Sequence, residues 1–146
     1  MRWPYPERLK NSKKQSPITS MAISQKRRLT LYQAMNGRCG YCGRDIAFKD
    51  MQIDHMNPQS APSLSTYLID GKKVNRTHHD SNLMPSCASC NHYKRDMTVD
   101  GFRRTIKNLH ARLAKNYIVK VAHQFSIVHI VPFDGLFYFE KLRKIN

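Results

Sequence analysis

Acidic side chains are scarce in this chain: 10 Asp and Glu stand against 25 Lys and Arg in 146 residues, a formal net charge of +15. Solubility alone does not account for so lopsided a balance, which points to a polyanionic partner, nucleic acid first. An anionic membrane surface is the lesser rival, because no strongly amphipathic basic helix stands out. Long apolar runs are missing too, and none approaches the ~20 residues of a membrane-spanning helix. The basic N-terminus lacks the apolar centre of a signal peptide, so an intracellular, cytoplasmic setting is expected. Spare cysteine is also absent, since all four fall into two CxxC pairs. In a reducing compartment that pattern suggests metal rather than disulfides. Apolar residues reach only 40%, a modest core that favours an added staple.

Residues 1–24 are polar and basic, with three prolines and no sustained period, and read as a flexible arm. Trp3 and Tyr5 within it either pack back onto the domain or stack on a base. A helix is expected from Gln25 to Met35, with Leu31 and Met35, and Leu29 and Tyr32, on an apolar face. Asn36-Gly37 stops it. Ile46-Ala47-Phe48 and Met51-Gln52-Ile53 read as a hairpin that delivers Asp54 and His55 at its end. A long loop, 57–81, holds a small strand at Tyr67-Leu68-Ile69, and Asn82-Leu83-Met84 returns as another. A helix is expected to start near Asn91. Thr98 N-caps the next, with Phe102, Ile106, Leu109 and Leu113 on one face. Tyr117–Phe125 reads as a helix with Ile118, Ala122 and Phe125 inward. Ile127–Val131 and Leu136–Phe139 read as two strands around a turn.

Cys39-Gly-Tyr-Cys42 and Cys87-Ala-Ser-Cys90 supply four soft ligands, for which tetrahedral zinc is the natural ion. Four thiolates leave no open position for water, so the role is structural. A redox motif, free thiols and an iron–sulfur cluster are the alternatives.

Between the cysteine pairs lie Asp54-His55 and Asn82-Leu83, and Asn91-x-x-Lys94 follows the last cysteine. This combination resembles the HNH endonuclease family in its zinc-stapled, HNN-type branch, as found in short phage and bacterial proteins. The resemblance covers about 37–95. It implies an α+β fold with a ββα-metal core, flanked here by helices and a small C-terminal β element. The corresponding division is a 1–24 arm, a 25–97 nuclease core and a 98–146 extension. It also implies hydrolysis of DNA phosphodiester bonds to 5′-phosphate and 3′-hydroxyl ends, double-stranded DNA being the expected substrate.

The chemistry can be read from the residues themselves. A neutral imidazole takes a proton from water near pH 7, and His55 is placed for it at a strand end. Asp54 precedes His55, so in an extended strand it points the other way. The resemblance implies that it nevertheless reaches a metal ion together with Asn91, and that Asn82 holds the loop and orients His55. A carboxylate and an amide oxygen are hard donors, which favours Mg²⁺ or Mn²⁺ there. His92 as ligand in a shifted register is the alternative. His78, His79 and Asp80 read as loop residues rather than a second metal site. Lys94 matches the family's lysine position and is expected on phosphate with Arg95. Arg27, Arg28, Arg38 and Arg44 extend that track, and Arg103, Arg104 and Lys107 add another.

Two rivals remain at this point: a catalytically silent zinc-dependent DNA-binding module, and a regulatory partner of another phage or bacterial protein. A homodimer is a further partner considered. No base-reading module is recognisable.

Overall fold

The computed structural model describes residues 23–58, 67–69, 72–74 and 80–145. Trp3 and Tyr5 of the expected arm, and His78 and His79, lie outside them. Helix α1, Gln25–Ala34, begins where Ser24 Oγ accepts from the Arg27 amide at 3.3 Å. Asn36 and Gly37 end it in left-handed conformations, at φ 53° and 69°. The apolar face expected of α1 is only half covered: Leu31 and Tyr32 are half-buried, Met35 packs against the core, and Leu29 is exposed. Polar anchors add to this packing. Tyr32 Oη donates to Ile46 O, and Arg28 Nη2 to Met51 O, each at 2.7 Å.

The expected hairpin over 46–53 does not form. Residues 48–50 make a 3₁₀ turn, and strand β1, Gln52–His55, finds its partner far along the chain. First come β2, Tyr67–Ile69, and β3, Lys72–Val74, which pair with each other. Then β4, Leu83–Ser86, runs antiparallel to β1, with Ile53 opposite Pro85, Asp54 opposite Met84 and His55 opposite Leu83. All of β4 is buried, whereas Ala47 in the local candidate is exposed, so burial selects the distant partner. Helix α2, Ala88–Lys94, follows at once, with Cys87 Sγ accepting from the Cys90 amide at 3.4 Å. It therefore starts three residues before Asn91. β1, β4 and α2 together make a ββα unit.

Helix α3, Val99–Lys107, is capped as expected, Thr98 Oγ1 accepting from the Gly101 amide at 3.2 Å. A break at Asn108 separates it from α4, Leu109–Ala114. That break splits the expected stripe: Phe102 is buried while Leu113 is exposed. Helix α5, Tyr117–Gln124, forms where expected, yet Ile118 and Phe125 face outward.

The C-terminal β element is not formed. Residues 127–137 contain no strand, and Tyr138–Ile145 is a helix, α6. Two contacts explain the change. The amides of Tyr138 and Phe139 bond to Tyr41 O and Gly40 O at 3.0 and 2.8 Å, so the first cysteine turn takes the place of a strand partner. Glu140 Oε2 reaches back to the Phe137 amide at 2.8 Å, satisfying a donor at the helix start. Phe137 and Phe139 then join Tyr41, Met84, Val99 and Phe102 in the core. Phe102 and Phe137 stack at 5.3 Å, with Tyr41 edge-on to both at 5.3 Å. Arg103, expected to track phosphate, is instead a strut. It grips Glu140 with two bonds of 2.7 Å and lies over the Phe137 ring at 5.0 Å.

Candidate active site and metal centre

The first cysteine pair is set by a tight turn, Gly43 donating to Cys39 O and Cys39 to Arg44 O, both at 2.9 Å. Gly43 sits at φ 74°, where glycine carries no steric penalty. Gly40 bonds to Pro85 O at 2.8 Å, and a Cβ there would overlap Met84, with Cγ at 2.8 Å. The turn is thus pressed against β4. The second pair brackets the start of α2. All four sulfurs lie within 4.8 Å of one another, and Cys42 and Cys87 Sγ are 3.9 Å apart. Tetrahedral zinc at about 2.3 Å from each sulfur sets sulfurs roughly 3.8 Å apart, so the cluster fits that ion. None of the four is in a disulfide. Hydrogen bonds from the Cys39 and Cys90 thiols pull Cys42 down to about 3. Cys90 moves up, first through its bond with Cys39. The cluster already favours a thiolate, and a dication would extend that to the others.

Asp54 is buried beneath β1. Lys94 Nζ lies 2.9 Å from its Oδ2 and 3.3 Å from Oδ1, and Tyr41 Oη donates to Oδ2. Burial raises the Asp54 pKa, while Lys94 and Tyr41 draw it down. Burial lowers that of Lys94 against the pull of Asp54. Desolvation therefore outweighs attraction for both partners, and the pair's contribution lies in what it positions. Tyr41, raised well above the usual tyrosine range by burial and then by the Asp54 charge, stays a proton donor.

Lys94 is 0% exposed and also donates to His55 O at 2.8 Å. Its expected phosphate contact is therefore corrected: the ammonium points into the protein and ties α2 to β1. Arg95, by contrast, is exposed, and its backbone turns at φ 51° to end α2. Arg27 and Arg38 pair with Asp80 and Asp45, and Arg28 caps Met51 O, so those members of the expected track are engaged.

Asp54, His55 and Asn91 border one open cavity of about 340 Å³, with Pro58, Arg95 and Asp96 on its rim. Asn91 Nδ2 donates to Gln52 Oε1 at 2.6 Å, which leaves Oδ1 as the ligand atom it can offer. A carboxylate and an amide oxygen beside an imidazole make a hard donor set that fits Mg²⁺ or Mn²⁺. His92, the alternative ligand, is exposed and does not border this cavity. Asn82 is buried, accepts from the Asn57 amide at 2.8 Å and donates to Asn57 O at 3.1 Å. It pins the chain two residues beyond His55. Tyr41 and Gln52 escaped the sequence reading. Tyr41 had one signal, its place inside the first CxxC pair, while Gln52 had none.

Residues 39–96 match the HNH endonuclease family. The match spans less than half of the chain. The ββα unit and the four-cysteine cluster are consistent with the ββα-metal fold. The family implies metal-dependent nuclease activity on DNA. Among solved structures, the Type II-C Cas9 enzyme from Actinomyces naeslundii is similar at 22% identity and a TM-score of 0.40, over 59% of this chain. The likeness spans 9% of that enzyme's length. No curated protein matches the chain. Among the described residues no helix is long and apolar enough to cross a membrane.

Proposed function

We propose that this protein is an endonuclease that hydrolyses DNA phosphodiester bonds with a divalent cation, Mg²⁺ or Mn²⁺, held by Asp54 and Asn91. The observation that carries the reading is the meeting of Asp54 and His55 of β1 with Asn91 of α2 at one open cavity. His55 takes a proton from the attacking water, a task a neutral imidazole is suited to. A bound cation supplies positive charge against the charge that builds on the phosphate and the leaving 3′-oxygen. Asp54 is held for that ion by Tyr41 and Lys94, and Asn91 by Gln52. Asn82 keeps the loop after His55 in place through Asn57. Arg95, on the rim, contacts phosphate and positions DNA without reading sequence.

Zinc on Cys39, Cys42, Cys87 and Cys90 acts structurally, joining the turn before β1 to the start of α2. One site cuts one strand, so a monomer nicks, and double-strand cutting takes two copies or two successive events. An end-labelled DNA duplex tests the chemistry. Fragments bearing 5′-phosphate and 3′-hydroxyl, absent with His55→Ala, are the expected result. Cleavage that persists in His55→Ala, or that leaves a 3′-phosphate, contradicts it.

A further inference from the structure

Asp96 borders the same cavity as Asp54, His55 and Asn91. The end of α2 sets its place. Arg95 turns the chain at φ 51°, and the Met97 amide closes back on Lys94 O at 3.0 Å. The tight turn between them carries Arg95 and Asp96 to the cavity rim. Asp96 is exposed, and among the described residues no salt bridge engages it. The charge of Asp54, by contrast, is already met. Lys94 Nζ lies 2.9 and 3.3 Å from its two oxygens. Arg95 adds a second positive group at the rim. Asn91 offers an uncharged oxygen, and His55 acting as a base is neutral. A dication entering a site made of Asp54, Lys94 and Arg95 alone meets net positive charge, which repels it. Asp96 brings that charge back to balance, and its negative charge is felt at Lys94.

We propose that Asp96 is a positioning residue for the divalent cation, its carboxylate at the cavity rim accepting hydrogen bonds from water bound to the ion. This rests on the reading that Asp54 and Asn91 hold that ion. The ligand atoms of Asp54, His55 and Asp96 do not gather within 4.8 Å of one another, which suits a contact through water rather than a third direct ligand. Mg²⁺ keeps several of its waters in sites of this kind, and an outer carboxylate orients what the ion carries. A role on the DNA itself does not suit Asp96. A carboxylate repels phosphate unless a cation stands between them.

Mn²⁺ binding to the full zinc-loaded chain, read from the paramagnetic resonance signal of free Mn²⁺, tests it without recourse to cleavage. Asp96→Asn should weaken binding by about tenfold or more, the usual cost of losing an outer partner of a metal site. Asp96→Glu keeps the carboxylate and should keep most of the affinity. Asn91→Ala, the control for the site itself, should lose Mn²⁺. Without added divalent metal, Asp96→Asn should bind a DNA duplex no more weakly than wild type, since it removes a negative charge that faces phosphate. If Asn91→Ala loses Mn²⁺ and Asp96→Asn does not, the proposal fails while the cation site stands. If wild type binds no Mn²⁺, or binds it regardless of Asn91, the cation site fails and the proposal with it. Loss of Mn²⁺ and DNA binding together in Asp96→Asn would show a structural defect and overturn the proposal. Earlier melting of Asp96→Asn with wild-type Mn²⁺ affinity would overturn it too, and assign the residue to the support of α3.

Discussion

The hydroxyl of Tyr41, inside the first cysteine turn, donates to the carboxylate of Asp54, which lines the cavity shared with His55 and Asn91. The four-cysteine cluster and the proposed catalytic site thus share one hydrogen bond. Tyr41→Phe removes it and keeps the ring among Phe102, Phe137 and Phe139. Urea unfolding should show a loss of about 1.5–3 kcal/mol, the usual worth of a hydrogen bond to a charged group. Zinc content should stay at wild-type level. A loss under about 0.5 kcal/mol would mean that the bond is dispensable.

Lys94 and Asp54 form a buried pair that desolvation works against. Removing one partner strands a charge, so Lys94→Met should cost about 3–5 kcal/mol. Adding Asp54→Asn removes the stranded charge as well, and the double variant should regain most of that stability in a double-mutant cycle. Additive losses would show that the two groups do not interact.

Zinc removal should unfold the domain rather than merely silence it. The four-thiolate cluster joins the turn before β1 to the start of α2, and the apolar core around it is small. Cys87→Ser should lose bound zinc by elemental analysis and show a broad, early thermal transition. A metal-free protein with a wild-type melt would refute the stapling role.

At the other end of the chain, Asp134 is exposed and accepts from Lys141 at 2.7 Å and from the Leu136 amide at 3.0 Å. These bonds, led by that of Lys141, hold its pKa below the usual carboxylate value. A depressed folded pKa contributes stability that is present above the unfolded value and is lost as pH falls through the folded one. In an NMR titration Asp134 should protonate below 3.8, and Lys141→Met should move it back up. Exposure keeps the effect on stability small. No movement in Lys141→Met would contradict the assignment.

Local chemistry was legible in the sequence, and distant pairing was not. The cysteine spacing led to the sulfur cluster, the Thr98 cap to α3, and Asn36-Gly37 to the end of α1, because each is settled within a few residues. The grouping of Asp54, His55 and Asn91 comes from the family resemblance, since strand alternation alone points Asp54 away from His55, and all three line one cavity. The partner of β1 lies beyond β2 and β3, which no local pattern announces. The phosphate contact expected of Lys94 comes from its match to the family's lysine position, and its burial follows from Asp54 and the carbonyl of His55, which only the fold brings to it. The run at 136–139 reads as strand by composition, but the carbonyls of Gly40 and Tyr41 and the reach of Glu140 make it the start of α6. Ile118 and Phe125 were assigned inward on periodicity alone, which identifies an apolar side without saying what covers it.

The central claim is that His55 and a divalent cation on Asp54 and Asn91 cut DNA. Supercoiled plasmid incubated with the folded, zinc-loaded chain and Mg²⁺ or Mn²⁺ tests it most directly. The expected result is nicked plasmid that appears with wild type, vanishes when chelator removes the added metal, and is missing for His55→Ala. Cleavage that ignores both the metal and His55, or intact plasmid from well-folded wild type with either metal, would contradict the claim.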